Sequence, residues 1–200
     1  MSADSGTRER LLNAAINLIE SEGESAVRVD RVVALAGFTK PVLYHHFADK
    51  DDVIVQAQAE RYRQSLEWAN AGISSTVGAL RSKEDFEVWL TTVISGFATD
   101  ESRRQRQIRN EVIGSSVSRP ELRLEVATLN QAFVTWLEQE IERWHLMGWT
   151  HPMHPSRDLA EWWAVQIHGL YLMEVGRRDD SRSSTWVDVL MSAVRHLLGL

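Results

Sequence analysis

The sequence predicts an all-α fold, and three observations carry that prediction. Prolines number only four, at positions 41, 120, 152 and 155, so long stretches lack the residue that breaks helices. No segment combines sustained period-2 alternation with β-branched enrichment, the mark of a half-buried strand. Apolar residues instead recur three and four apart along most of the chain. With 200 residues, 44% of them hydrophobic, the chain can bury a substantial core in one or two domains.

The first helix is expected from about Thr7 to Ser21. It places Leu11, Ala14, Ala15, Leu18 and Ile19 at helical spacing, with Gly23 just past its end. A short second helix spans Val29 to Ala36, with Val29, Val32, Val33 and Ala36 on one face and Gly37 as its stop. Thr39 is the expected N-cap of a third helix, with Pro41 in the first turn, where a missing N–H costs nothing. That helix carries Val42, Leu43, Tyr44 and Phe47. Asp49 to Asp52 resembles a capping arrangement that opens a long fourth helix through roughly Asn70.

Gly72 to Gly78 reads as a loop and as the nearest approach to an internal boundary. Later helix starts are marked by Ser82 with Asp85, Ser118 with Glu121 and Thr185 with Asp188, each a capping-box pattern before an apolar run. Helices are expected near 83–98, 101–114, 119–147, 156–176 and 184–198. Gly148 to Pro155 is the clearest loop. The resulting division is a three-helix domain over 1–50 and a larger helical domain over 51–200.

Composition excludes several function classes. With no Cys there is no disulfide scaffold, thiol catalysis or Cys-ligated metal. No apolar run suits a signal peptide or approaches the ~18 residues of a membrane span. A cytoplasmic location with no membrane partner is therefore expected. No Gly-rich phosphate loop, Gly-x-Ser-x-Gly elbow or His-Glu-x-x-His occurs, and nothing singles out a catalytic carboxylate pair. No enzyme and no cofactor are expected. The competing reading is a metal-dependent enzyme using His145, His151 and His154. Against it, no Asp or Glu lies inside that cluster, and two prolines separate its imidazoles. A helical interaction module without DNA contact is a further alternative.

The net charge of −6 argues at first against a nucleic-acid partner, but its distribution does not. Residues 28 to 50 carry +2 and the remainder −8, and two of the three lysines (Lys40 and Lys50) fall in that window. A short basic island on an acidic body can still meet phosphates. In the same window, two short helices joined at Ala36-Gly37-Phe38-Thr39 form a helix–turn–helix pattern. The second of them would enter a major groove N-terminus first, its free N–H groups favouring a phosphate.

The segment Gly37-Phe-Thr-Lys-Pro-Val-Leu-Tyr-His-His-Phe-Ala-Asp-Lys50, preceded by a helix of matching length, resembles the DNA-binding domain of TetR-family regulators. The resemblance covers about Thr7 to Arg61, with Ala36-Gly37, Leu43-Tyr44, His46-Phe47 and Lys50 in register. Val33 departs from a common Ala, and Arg28 stands where a Thr cap is common. The resemblance implies that Tyr44 and Lys50 hold the phosphate backbone, which positions the protein without reading sequence. Lys40, Pro41, Val42 and His45 fall on the groove-facing part of the recognition helix, with His46 nearby. Lys40 would donate to guanine, and Pro41 or Val42 would touch a thymine methyl. Thr39 combines capping with a phosphate contact, and Arg28 brings a guanidinium toward the backbone.

Beyond residue 67 the chain holds all eight Trp. As a group these side chains favour an aromatic-lined pocket, which the resemblance implies independently as an effector site. The candidate lining is Trp89, Phe97, Phe133, Trp136, Trp163 and Tyr171, with Asn110, Glu111, Gln166 and His168 as polar candidates. The last two helices carry wide apolar stripes, Leu159 to Met173 and Trp186 to Leu198. A homodimer through a four-helix bundle would absorb them and would place two recognition helices on a palindromic operator. The expected function is a dimeric repressor that a small, largely apolar effector releases from double-stranded DNA.

Overall fold

The computed structural model describes residues 3–175 and 183–200, and among these no strand occurs. The helices are α1 (Ala3–Glu22), α2 (Val29–Ala36), α3 (Lys40–His46), α4 (Lys50–Val77) and α5 (Lys83–Gly96). They continue with α6 (Asp100–Ser116), α7 (Pro120–Leu146), α8 (Ser156–Glu174) and α9 (Ser183–Leu198). A short 3-10 turn, Glu24–Ala26, separates α1 from α2.

Two compact units form, Met1–Arg63 with Val112–Val126, and Gln64–Glu111 with Ala127–Leu200. The expected boundary at residue 50 marks the start of α4, whose first residues (Val53, Ile54 and Ala57) pack into the core of the first unit. That core joins Leu11, Leu18 and Ile19 of α1 to Val32, Leu43 and Phe47. Each comes from the apolar periodicity of its own helix.

In the second unit, Phe86 lies at the centre of an aromatic group. Its ring centroid is 5.2 Å from that of Trp144 and 5.6 Å from that of Trp149, and Trp89 lies 5.5 Å from Trp144. These distances suit offset and edge-on ring contacts. The helix stripes of α8 and α9 are largely consumed in this core, which takes Leu159, Trp163, Ile167, Leu190, Val194 and Leu198, and Leu170 is buried as well. Met173 is the exception, at 53% exposed.

Two segments differ from expectation. Gly72 to Gly78 is not a loop: α4 continues through Val77. Ile73 and Val77, four apart, are buried there, and tertiary burial outweighs the low helix propensity of Gly and Ser. The loop after α7 is held rather than loose. The amide of His151 donates to Leu198 O at 2.8 Å and that of Met153 to Leu197 O at 3.1 Å, which satisfies carbonyls at the end of α9. Gly199 is required at that junction, because a Cβ would lie 2.2 Å from the His151 carbonyl oxygen.

Two of the expected caps form. The Ser82 hydroxyl accepts from the Asp85 amide at 3.1 Å, and the Asp49 carboxylate accepts from the Asp52 amide at 2.9 Å. The Thr185 side chain and the expected end of α8 at Gly176 lie outside the described residues.

Candidate nucleic-acid interface and effector cavity

The turn between α2 and α3 is built by Gly37, whose φ of 73° is the left-handed conformation a Cβ disfavours. Its amide donates to Ala34 O and that of Phe38 to Val33 O, the paired bonds of a Schellman cap. Arg10 of α1 completes the corner. Its guanidinium donates to Ala36 O at 2.8 Å and lies 4.6 Å from the centroid of the Phe38 ring. Nothing in the spacing of α1 marks Arg10 for this role, since the contact spans 26 residues.

This corner sets the orientation of α3. Leu43 and Phe47 turn into the core, while Thr39, Lys40, Pro41, Tyr44 and His45 are exposed. Thr39 is the N-cap by backbone conformation, but its hydroxyl makes no capping hydrogen bond. The expected capping role is therefore backbone only. Lys40 pairs with Asp30 at 2.6 Å, and that hydrogen bond raises its pKa above the ordinary lysine value. Val42 is half-buried against the core, and the His46 side chain is only 8% exposed, so neither belongs to the outward face. Lys50, the first residue of α4, and Arg28, the N-cap of α2, are exposed.

His45 and His46 approach Asp4 of α1 at 3.9 and 3.6 Å. These three side chains form the one His/carboxylate grouping of metal-ligand spacing among the described residues. The His145 and His151 rings lie edge-on with centroids 6.1 Å apart, but with His154 they form no grouping of metal-ligand spacing among the described residues. The His145 ring Nδ1–H donates to Thr150 O at 3.0 Å, and all three side chains are exposed at the end of α7 and in the loop after it. The alternative of a metal enzyme on those histidines therefore has no geometric support.

The second unit contains a cavity of about 380 Å³, within the small-molecule range of about 300–1,000 Å³. Of the expected lining, Trp89, Phe97 and Phe133 are in its wall. The other expected residues are placed elsewhere. Trp163 is in the buried core, and the partly buried Trp136 packs against that core with its ring centroid 5.9 Å from that of Phe133. The Asn110 amide is spent on Arg106 O, and Glu111 is exposed, accepting from Gln107. Gln166 and Tyr171 are partly exposed on α8 and outside the wall. His168 donates from Nδ1 to Ala164 O at 2.8 Å. Burial, aided by the Arg109 charge, lowers its pKa and keeps the ring neutral.

Sequence reasoning missed the polar wall, which comes from α6. Ser102, Arg106 and Arg109 line the cavity, preceded by Thr99. A sign was present: Ser102, Arg106, Arg109 and Val112 recur at helical spacing and are all buried, so the inward stripe of α6 is polar. Buried guanidinium groups require partners. Arg106 is bound by both carboxylate oxygens of Glu174 and by Phe97 O, and Arg109 donates to the Ser65 hydroxyl at 2.9 Å.

Residues 11–57 match the family model described as bacterial regulatory proteins, tetR family. No curated protein matches the chain significantly in sequence. Solved structures share the fold from end to end. A protein from Rhodococcus sp. assigned to the TetR family of transcriptional regulators is 23% identical, with a TM-score of 0.67 over 97% of this chain and 99% of its own. Salmonella enterica GusR is 16% identical, with a TM-score of 0.70 over 100% and 99%. A transcriptional regulator from Saccharomonospora viridis, in complex with choline, is 18% identical, with a TM-score of 0.66 over 96% of each chain. Residues 11–57, which run from α1 into α4 and enclose the helix–turn–helix, are therefore similar to the tetR family of bacterial regulatory proteins, and the chain shares the fold of these solved structures over nearly its full length.

Proposed function

We propose that the protein is a dimeric repressor that binds a palindromic operator through α3 and is released by a small effector bound in the cavity of the second unit. The observation that carries this reading is the outward face of α3. Thr39, Lys40, Pro41, Tyr44 and His45 are exposed together on a helix whose opposite side is anchored by Leu43 and Phe47. Tyr44 and Lys50 are the phosphate-holding residues, Lys40 and Pro41 read the base edges, and Arg28 adds a backbone contact.

The dimer is proposed through α8 and α9. Val165, Leu172, Met173 and Val189 remain exposed on these two helices. A two-fold pairing covers them and supplies the second α3 that a palindrome requires. The choline held by the Saccharomonospora relative supports a small-molecule effector for this chain as well. The family's function as regulators argues against an enzyme, and no described helix is long and apolar enough to cross a membrane.

Fluorescence anisotropy with a labelled palindrome taken from DNA flanking the gene tests the reading. Two subunits should bind per site, with an affinity that falls steeply as salt rises through counterion release. Tyr44→Phe should weaken binding to every sequence alike, whereas Lys40→Ala should change which site is preferred. Binding that ignores salt, or that survives both changes intact, refutes it.

A further inference from the structure

The cavity of the second unit is chemically two-sided. Its polar wall comes from one helix, α6, and consists of Ser102, Arg106 and Arg109 with Thr99 beside them. The remaining walls, from α4, α5, α7 and α8, include Trp68, Trp89, Phe97 and Phe133 and are apolar or aromatic apart from Thr92, whose hydroxyl donates to Val88 O. The ionised side chains in the described lining are both arginines, and no Asp or Glu is among them. Glu174, which binds Arg106, lies outside that lining.

Placing a guanidinium at an apolar cavity costs solvation, and a ligand that presents acceptor oxygens there recovers it. The planar fork of arginine matches a carboxylate in two parallel hydrogen bonds, and it offers a neutral or cationic head group less or nothing. We propose that the cavity takes a small amphipathic carboxylate, with its acid group at Arg109, beside the Glu174-bound Arg106, and its apolar body against Trp68, Trp89, Phe97 and Phe133. This inference rests on the cavity being the effector site.

Arg109 has a second attachment that lets the head group be sensed. It donates to the Ser65 hydroxyl at 2.9 Å and to Ser65 O at 3.3 Å, and the same hydroxyl donates to Gln105 O at 3.1 Å. Ser65 belongs to α4, so an acid drawing on this guanidinium acts on a bond that ties α6 to α4. The apolar body supplies affinity, and the acid supplies the change.

Isothermal titration of the full chain with 4-phenylbutyrate, 4-phenylbutan-1-ol and 4-phenylbutylamine tests the inference, since the three differ only in the head group. The acid should bind at least tenfold tighter than the alcohol, and the amine weakest. Arg109→Gln should bring acid and alcohol within about threefold of each other. Because that change also removes the Ser65 contact, Arg109→Lys serves beside it; keeping the charge but losing the fork, it should retain an intermediate preference. Trp89→Ala should weaken acid and alcohol together. If the alcohol or amine binds as well as the acid while Trp89→Ala weakens all three, the carboxylate inference falls and the effector cavity stands. If no probe binds at millimolar concentration, or Trp89→Ala leaves their binding unchanged, the inference falls together with the cavity as effector site.

Discussion

At the scale of single residues, the contact between Lys40 and Asp30 bears directly on the proposed meeting of α3 with DNA. Both side chains are largely exposed, and the hydrogen bond that Lys40 donates to Asp30 holds the lysine charged. A phosphate or guanine must compete with this carboxylate. Asp30→Asn removes the competitor and one like-signed charge facing DNA, so affinity should rise roughly two- to fivefold at low salt and converge with the parent as salt screens the difference. Titrating both proteins against one operator over a salt series checks this. The exposure of Lys40, Pro41, Tyr44 and His45 was legible because it follows from a single local motif that resembles a known helix–turn–helix. Val42 and His46 were not separable in this way. A seven-residue helix has too few turns to fix its orientation from apolar spacing alone, and the extent of their burial is set by contacts beyond it.

At the scale of elements, the corner between α2 and α3 depends on Gly37 and on a side chain from another helix. Gly37→Ala places a Cβ at φ 73°, costing about 1–2 kcal/mol. Arg10→Ala removes the bond to Ala36 O and the stacking on Phe38, costing about 1 kcal/mol. Thermal unfolding should show both losses, and operator affinity should drop with them. Helix starts were readable wherever a side chain caps locally, as at Ser82 and Asp49. The continuation of α4 through Val77 was not, because the burial of Ile73 and Val77 is supplied by partners far along the chain.

Helix α8 carries its own pH response. His168 is kept neutral by burial and then by the Arg109 charge, so its folded pKa is depressed. The unfolded chain therefore takes up a proton first, near pH 6.5. The stability His168 contributes is complete above that value and is lost as pH falls through the folded pKa. His168→Gln should reduce the fall in Tm between pH 7 and pH 5.5, and an unchanged slope would contradict this assignment.

At the scale of the whole molecule, α6 is the element to watch. It presents Arg109 to the cavity near its middle and Ser115 at its last turn, where the hydroxyl donates to Glu24 at 2.5 Å. Glu24 also accepts from Gln58 at 2.8 Å and pairs with Arg119 at 2.8 Å, and Arg119 in turn holds Asp51 at 3.0 Å. Burial raises the Glu24 pKa, but the hydrogen bonds from Ser115 and Gln58 and the charge of Arg119 outweigh it and leave it lowered. The cluster therefore contributes fully above the ordinary carboxylate range and fades as pH drops through the folded pKa. Glu24→Gln should leave operator affinity within about twofold of the parent but weaken the release caused by effector, because the end of α6 loses its ionic hold. Measuring operator affinity with and without 4-phenylbutyrate, in parent and variant, checks it. No local pattern could have announced this cluster. Glu24 and Ser115 are 91 residues apart, and a carboxylate in a 3-10 turn reads from sequence as an ordinary surface group.

The uneven placement of tryptophan makes the two units optically distinct. All eight indoles belong to the second unit, from Trp68 to Trp186, and the first has none. Indole emission therefore reports the second unit by itself, while circular dichroism counts the helices of both. Overlaying the two denaturation curves separates melting of the first unit from melting of the second without a label or a mutation.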